Sequence, residues 1–168
     1  MEKVNGPVTD NIFQPRETVR LGLIGSAEAY RNALMIAGRS IGSWADDILS
    51  KCPFTAEKKS VEVDLVVASV AELGFPEGAR YSDICERAVK RGLELCRAEV
   101  GPALCLAYKG HLCGDALIIA MEALWDSNGD LVVFYLIRRD EMLSLVGSGG
   151  RPGGYWPSKT RFVFAMRN

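Results

Sequence analysis

The chain has 168 residues, 48% of them hydrophobic and 24% charged, which suits a soluble protein with one sizeable core. Lysine and arginine number 20 against 21 aspartate and glutamate residues, so the net charge at pH 7 is −1. This balance argues against a strong non-specific nucleic-acid binder, because such proteins normally carry an excess of basic residues.

Five cysteines are present, an odd number, and no two of them form a C-x-x-C pair. Cys85 lies on an apolar helix face and Cys105 in an apolar run, so we interpret both as small buried hydrophobic residues. Residues 1–14 lack the apolar segment of a signal peptide, and no apolar run approaches the roughly 18 residues of a membrane span. We therefore expect reduced thiols, a cytoplasmic location and no membrane contact.

Residues 1–16 are largely polar, contain glycine and proline, and show no periodicity, which predicts a flexible N-terminal arm. We expect residues 17–168 to form a single domain. Its first element is predicted to be a short strand at residues 19–24.

The first helix is predicted over residues 27–37, where apolar side chains recur at the helical period between an N-cap at Ser26 and a glycine stop at Gly38. A second short helix follows around Trp44 and Ile48. Because the link between the two helices is short, we expect them to pack together as a helical hairpin.

Residues 61–73 fit two patterns. Apolar residues alternate with Glu62 and Asp64, as in a half-buried strand, but the spacing of the valines also fits a helix. The high content of β-branched residues favours the strand, and the helix remains the alternative.

A third helix is predicted before Gly92, since Tyr81, Ile84, Cys85 and Ala88 share one apolar face. The helix is expected to begin near a serine that follows Tyr81 directly.

The dipeptide Gly101-Pro102 is interpreted as a chain break that precedes a strand over residues 103–108. A hairpin loop at residues 109–115 is expected to join this strand to a second one over residues 116–124. The break therefore marks the start of the sheet-forming half of the chain.

The strongest local signal is Asn128-Gly129, which separates two apolar runs. It predicts a hairpin with a type I′ turn, in which both central residues take positive φ. Arg139-Asp140 marks a second turn, and residues 161–167 alternate as a last strand. The predicted fold is α+β, with about three mainly N-terminal helices packed on a mostly antiparallel sheet that includes a C-terminal β-meander.

Three stretches of the chain match a known group of proteins. They read IGSWADDIL at residues 41–49, SVAELGF at 69–75 and LELCRAEVGP at 93–102. Here the chain resembles a group of small uncharacterised bacterial proteins, and the resemblance covers residues 19–125. Arg97 stands where the group usually has proline, and Cys105 where it usually has a basic residue. The resemblance implies a bacterial cytoplasmic source and brings no known activity.

His111 and Cys113 are the one place where a base and a thiol meet in the sequence. A Cys–His nucleophile also needs a third group that orients the histidine, and a structural zinc site needs four ligands. We therefore interpret His111 as a solvated turn residue and predict no catalytic residue, cofactor or metal site. Scattered acidic residues form no recognisable acid–base pair and are interpreted as solvated helix faces. They are Glu28, Asp46, Asp47, Glu94 and Glu99.

Two loops have a binding alternative. Residues 126–130 faintly resemble a calcium loop, but the glycine comes too early and Ile137 stands where a bidentate glutamate is needed, so a plain hairpin turn is favoured. The glycine-rich residues 147–154 offer a place for a phosphate, but they lead into a strand rather than a helix, so a flexible connection is favoured.

One cluster of side chains predicts a binding site. Arg151, Tyr155, Trp156, Lys159 and Arg161 accompany the glycine-rich segment. Aromatic rings with nearby cations can stack on a base, hold a sugar ring or anchor a protein partner. The alternative is that Trp156 folds back over the sheet edge as a lid on the core.

The predicted function is a non-catalytic binding or interaction module in a bacterial cytoplasm, with an unknown protein or small-molecule partner. Two alternatives stay open. One is a small enzyme whose site is assembled from residues distant in sequence. The other is a weak nucleic-acid binder that uses the C-terminal basic and aromatic residues.

Overall fold

A computed structural model describes residue 13, residues 15–52, residue 54, residues 60–108 and residues 116–167. Most of the predicted arm lies outside these residues, and so does the predicted loop at 109–115 with His111 and Cys113. Phe13, which belongs to the predicted arm, is described and is buried. The fold class is α+β, as the sequence predicts.

Helices and strands are interspersed up to the fourth helix, and the described chain after it contains strands only. The strands are β1 (Glu17–Leu21), β2 (Ser40–Ile41), β3 (Val61–Ser69), β4 (Ala79–Arg80), β5 (Leu93–Glu94), β6 (Ala116–Ile119), β7 (Leu124–Trp125), β8 (Leu131–Arg139), β9 (Met142–Gly149), β10 (Tyr155–Trp156) and β11 (Arg161–Met166). The helices are α1 (Ala27–Ile36), α2 (Ser43–Leu49), α3 (Tyr81–Lys90) and α4 (Val100–Ala107).

The main sheet runs in the order β1-β3-β11-β6-β8-β9-β2. β5 pairs with β11 and β7 with β8, whereas β10 and β4 form a separate two-stranded sheet. The contacts β11–β6 and β2–β9 are parallel, so the sheet is mixed and the prediction of a mostly antiparallel sheet is wrong. Turn signals in a sequence reveal strands that are neighbours along the chain, and both parallel contacts join strands far apart in it.

Helix α4 lies against strands from both ends of the main sheet. It contacts β1, β8, β9 and helix α1, which means that the sheet curls around it. The strand predicted over residues 103–108 is therefore wrong. So is the mainly N-terminal placement of about three helices, because the described chain has four, and α3 and α4 lie in its middle.

The sequence of α4 explains the error. Residues 100–105 are all buried, so the helix has no polar face and no amphipathic period. Pro102 stands in the first turn, where the missing N–H removes no helical hydrogen bond. A buried helix of this kind cannot be told from a buried strand by periodicity alone.

Helix α1 matches its predicted bounds to within one residue. Ser26 Oγ accepts the Ala29 N–H at 3.1 Å, and Gly38 follows the helix with a φ of 76°. The predicted helical hairpin is not the main packing of these helices, since α1 packs against α4 whereas α2 packs against β8 and β9. The two helices are joined through Arg31, whose guanidinium donates to the side chain and to the carbonyl of Asp46. Strand β2 lies between the two helices along the chain and pairs with β9.

Of the two interpretations of residues 61–73, the strand is correct for residues 61–69, and residues 70–73 form the turn that follows it. β3 is central, with β1 on one side and β11 on the other. Leu65 is aligned with Glu17 of β1 and with Ala165 of β11. Side chains on both faces of its second half are buried, which accounts for the run of valines that imitates a helical spacing.

The hairpin at Asn128-Gly129 joins β7 to β8, as predicted, but its turn type differs. Gly129 has a φ of 84°, whereas Asn128 is not at positive φ. The Asp126 N–H donates to the Asp130 carbonyl at 2.8 Å, and the Asp126 carbonyl accepts the Gly129 N–H at 3.3 Å. This pattern is a three-residue loop with a left-handed glycine rather than a type I′ turn. The second predicted hairpin, β8–β9, turns at Asp140 with a φ of 56°.

Candidate ligand-binding cleft

The large aromatic side chains are divided between the core and one open surface. The fully buried ones include Phe134, Phe162 and Phe164. The chain has three tryptophans, and none of them is fully buried. Trp44 is 39% exposed, Trp125 is 62% exposed and Trp156 is half-buried. Tyr155, the neighbour of Trp156, is 63% exposed.

One cavity on this surface, which we call the tryptophan cleft, has a volume of about 390 Å³. Small-ligand sites typically have volumes of roughly 300–1,000 Å³. Its principal lining residues are Trp44, Asp130, Leu131, Arg151, Tyr155 and Trp156. They come from α2, the turn before β8, the first residue of β8, the segment after β9, and β10, so the cleft exists only when these five parts are assembled.

The glycine-rich segment is held in place, in contrast to the flexible connection that the sequence suggests. Residues 147 and 149 belong to β9. The Gly150 N–H donates to the Leu131 carbonyl at 2.8 Å. The N–H groups of Tyr81 and Ser82, in the first turn of α3, donate to the carbonyls of Gly154 and Pro152 at 2.8 and 2.9 Å. The segment thus caps α3, whose first N–H groups have no partner within the helix.

Trp44 is oriented by the β7–β8 turn. Its Nε1 donates to Asp126 Oδ2 at 2.6 Å, while Asp126 Oδ1 accepts the N–H groups of Asn128 and Asp130 at 2.9 and 2.7 Å. These hydrogen bonds, those from Asp130 and Trp44 first, hold the pKa of the Asp126 carboxyl below its ordinary value. The favoured hairpin interpretation of residues 126–130 is confirmed, because this carboxylate points inward to its own turn and to Trp44.

Tyr155 and Trp156 are also fixed by internal contacts. The Tyr155 hydroxyl donates to the Glu77 carbonyl. A side chain at Gly78, which has a φ of 93°, would collide with that hydroxyl. The Trp156 ring packs edge-to-face with Phe162, with 5.5 Å between ring centroids. Trp156 therefore covers core residue Phe162, as the lid alternative predicts, and it also lines the cleft, while its binding role stays a prediction.

The charged groups of the cleft form a pair. Arg151 Nη2 lies 3.5 Å from Asp130 Oδ1, and the two side chains are 74% and 44% exposed. At such exposure the pair adds little to stability. Its significance is that one cation and one anion stand side by side among aromatic rings.

The structure brings together three of the five predicted site residues. Arg151, Tyr155 and Trp156 line the tryptophan cleft. Lys159 lies in the turn before β11 and is not part of the lining. Arg161 lines a different cavity, of about 310 Å³. The predicted basic and aromatic cluster is thus divided between surfaces.

Two residues of the cleft are missing from the sequence-based site. The sequence predicts a short helix around Trp44 and a plain turn at Asp130, and neither prediction points to a site. Both residues are distant in sequence from Trp156, and nothing in the local pattern relates the three. The one available signal was the rarity of tryptophan, of which the chain has three.

A second cavity, of about 500 Å³, lies next to the tryptophan cleft. Leu131 lines both cavities, and the residues at 149–152 contribute to one or the other. Trp125 lines the second cavity together with Cys85 and Glu122. The aromatic surface therefore extends on both sides of the glycine-rich segment.

One acidic residue contradicts its predicted role as part of a solvated face. Glu99 is 2% exposed, and its Oε2 accepts the Tyr30 hydroxyl at 2.7 Å and the Gly22 N–H at 3.0 Å. Burial, and then the hydrogen bond to Glu99, raise the pKa of Tyr30. These contacts tie α1 and the end of β1 to the start of α4, so we assign Glu99 a structural role.

The cysteines of the described chain are free and lie in apolar surroundings. Burial raises the pKa of Cys52 to about 12, that of Cys85 to about 11 and that of Cys105 to about 12, and it raises the pKa of Cys96 as well. A nucleophilic cysteine needs the opposite shift. Among the described residues, no three His, Cys, Asp or Glu side chains are grouped so as to hold a metal ion.

Within the described residues, no helix is long and apolar enough to cross a membrane. No protein-family model, no curated protein and no solved structure matches this chain.

Proposed function

We propose that this protein is a non-catalytic binding module and that its ligand binds in the tryptophan cleft. The observation that carries this proposal is the position of the tryptophans. Trp44 and Trp156, which are distant in sequence, meet in one open cleft together with Tyr155. Tryptophan and tyrosine are enriched among the residues that contribute most to binding.

The cost of this arrangement supports a functional role. Trp125 and Tyr155 each expose more than three-fifths of their surface in the cleft and beside it, and each forgoes the stabilisation of burial. Single exposed apolar residues are ordinary on protein surfaces, but contiguous exposed aromatic groups are typical of binding sites.

The rigidity of the cleft is the second support. The indole N–H of Trp44 and the hydroxyl of Tyr155 are both engaged within the protein, and Trp156 rests on Phe162. A ligand would therefore meet side chains that are already ordered. Such preorganisation lowers the entropic cost of binding.

The chemistry of the described residues favours binding over catalysis. The cysteine pKa values are raised, and the buried carboxylate of Glu99 accepts hydrogen bonds from its own fold. The charged pair in the cleft neighbours aromatic rings rather than a nucleophile. We propose a bacterial cytoplasm as the setting, on the resemblance that covers residues 19–125 and on the cysteine content.

The test follows the indole N–H signals of ¹⁵N-labelled protein by NMR, one signal for each tryptophan. The probes are neutral oligosaccharides, a proline-rich decapeptide, choline and a short single-stranded DNA. We expect at least one probe to shift the signals of Trp44 and Trp156 saturably. Trp44→Ala should abolish the probe-induced shift of the Trp156 signal. Met142→Ala, at another exposed apolar residue, should leave the shifts of both signals unchanged.

Stability measurements on Trp44→Ala complete the test. Since Trp44 is 39% exposed, its truncation should cost less than the roughly 3–5 kcal/mol typical of a buried aromatic residue. A loss within that range would identify Trp44 as a core residue. That result, or a panel in which no probe moves the two indole signals, would contradict the proposed function.

A further inference from the structure

The charges of the tryptophan cleft restrict the ligands that fit it. Arg151 and Asp130 lie 3.5 Å apart, so a cation entering the cleft meets Arg151 and an anion meets Asp130. The carboxylates of Asp126 and Asp47 are engaged in hydrogen bonds within the protein. Asp126 accepts hydrogen bonds from Trp44 and its own turn, and Asp47 accepts two from Ser127. The electrostatic balance favours a ligand without net charge.

The aromatic groups restrict it further. Aromatic grooves that bind proline-rich peptides use indole N–H and phenol O–H groups to read the peptide carbonyls. Here the Trp44 N–H is donated to Asp126 and the Tyr155 O–H to Glu77. These two residues therefore offer the ligand apolar ring surface and no free donor at the tip.

The remaining polar side-chain groups of the lining include the Arg151 guanidinium, the Asp130 carboxylate and the Ser148 hydroxyl. The guanidinium has several N–H donors in a fixed plane, and the carboxylate has two acceptor oxygens. Neighbouring hydroxyl groups can donate to the carboxylate and accept from the guanidinium at the same time. The fitting ligand has an apolar face for the rings and a rim of hydroxyls for the ion pair.

We infer that the tryptophan cleft binds a neutral saccharide, with a pyranose ring stacked on its aromatic side chains and ring hydroxyls bound by Arg151 and Asp130. A pyranose presents C–H groups on its faces and hydroxyls around its edge. This inference rests on the proposed function of the cleft as a binding site and names the chemical class of its ligand.

The experiment measures binding of the intact protein to an array of neutral glycans, and then titrates soluble hexasaccharides of glucose and of N-acetylglucosamine by calorimetry. We expect saturable binding of at least one neutral glycan. Trp44→Ala and Trp156→Ala should each weaken it by about tenfold or more, the effect typical of a central aromatic contact. Met142→Ala is the control, since it removes exposed apolar surface at the turn between β8 and β9.

Two variants at the ion pair test the absence of ligand charge. Arg151→Gln and Asp130→Asn should both weaken glycan binding, because each removes hydrogen bonds to hydroxyls. A cationic ligand would instead bind more tightly to Arg151→Gln, and an anionic ligand more tightly to Asp130→Asn. The β7–β8 turn should survive Asp130→Asn, since its hydrogen bonds there use the backbone.

The outcomes separate this inference from the proposed function. If no neutral glycan binds while choline or the proline-rich peptide shifts the indole signals of Trp44 and Trp156, the saccharide inference is wrong and the binding module stands. If no probe of any class shifts those signals in the folded protein, both fail. Glycan binding that is unaffected by Trp44→Ala and Trp156→Ala would also overturn the inference, because it would place the saccharide elsewhere.

Discussion

At the scale of single residues, Asp126 connects the fold to the cleft. Its carboxylate joins the β7–β8 turn to Trp44 and so sets where that ring lies. The residue is 6% exposed, and the three groups that contact its carboxylate are all hydrogen-bond donors. A folded-state pKa below the ordinary value means that ionisation of Asp126 stabilises the fold.

The sign of the pH dependence follows from that shift. The contribution of Asp126 is complete above the unfolded-state pKa of about 3.9 and is lost as the pH falls through the lower folded-state value. We expect the difference in unfolding free energy between the wild type and Asp126→Asn to be largest above about pH 4 and to shrink below it. Urea denaturation at several pH values measures this difference.

Asp83→Asn, at an exposed carboxylate of α3, is the control for removal of an acidic group. The difference in unfolding free energy between the wild type and Asp126→Asn could instead stay constant from neutral to acidic pH. That result would show that the hydrogen bonds do not depend on the charge of Asp126.

Individual residues were predictable where their role is local. Ser26 was identified as a cap because a cap needs a side-chain acceptor only a few residues from its partner. Glu99 and Trp44 were not, because their partners Tyr30 and Asp126 lie far away along the chain. Local patterns carry no information about such contacts.

At the scale of elements, the approach of α4 to β8 depends on one glycine. A Cβ built on Gly101 would lie 2.6 Å from the ring of Phe134, which is fully buried and has no room to move. Glycine is thus required here by packing rather than by backbone conformation, since no left-handed φ is found at this position.

Gly101→Ala therefore sets two effects against each other. Helix propensity alone would stabilise the protein by about 0.5–1 kcal/mol, whereas overpacking of a core costs about 1–3 kcal/mol. We expect a net loss of stability and a lower melting temperature. Gly25→Ala is the matched control, because its Cβ would meet nothing within 4 Å. A Gly101→Ala protein more stable than the wild type would mean that α4 lies farther from β8 than described.

The β7–β8 turn gives a second test at this scale. Gly129→Val forces a β-branched residue into the left-handed region and should cost about 1–3 kcal/mol. Asn128→Val should have a much smaller effect, because Asn128 is exposed and not at positive φ. Thermal denaturation of both variants decides between turn types, since equal large losses would indicate the type I′ turn that the sequence suggests.

Elements were predictable where the sequence carries a period or a turn signal. α1, α3, β3 and the hairpin from β8 to β9 are amphipathic, alternating or bounded by characteristic turn residues. α4 carries neither signal, because it is buried all round. β2 and β10 have two residues each, and short strands of that kind are defined by their partners rather than by their own sequence.

At the scale of the whole molecule, the thiols report on how closed the core is. Cys52, Cys85, Cys96 and Cys105 have raised pKa values, so little thiolate is present at neutral pH. We expect these four to react slowly with a disulfide reagent such as Ellman's reagent in the native protein, because the thiolate is the reactive form.

After denaturation without reductant, all five cysteines of the chain should react with the same reagent. The structure makes no statement about Cys113, which lies outside the described residues. Rapid reaction of one thiol with the reagent in the native protein therefore agrees with the structure. Rapid reaction of two or more thiols would show that the core opens readily. Three or fewer thiols after denaturation would contradict the reduced state.

The overall topology was the least predictable level. The sequence predicts which strands form hairpins, and β8–β9 forms as expected. It does not predict that β11 enters between β3 and β6, or that β2 pairs with β9, because these strands lie far apart along the chain and no local turn signal relates them. The cleft is lined by residues from elements that this topology brings together, so its position could not be predicted from the sequence either.

The central position of β11 has a consequence for biosynthesis. β3 and β6, its two neighbours in the sheet, are both translated before it, and so is every other strand of the sheet. Until β11 leaves the ribosome, the sheet is divided into two parts, and β3 and β6 each present an unpaired edge. Unpaired edges of this kind are sites of aggregation. The nascent chain therefore depends on folding that is fast once β11 emerges, or on a chaperone that covers those two edges until then.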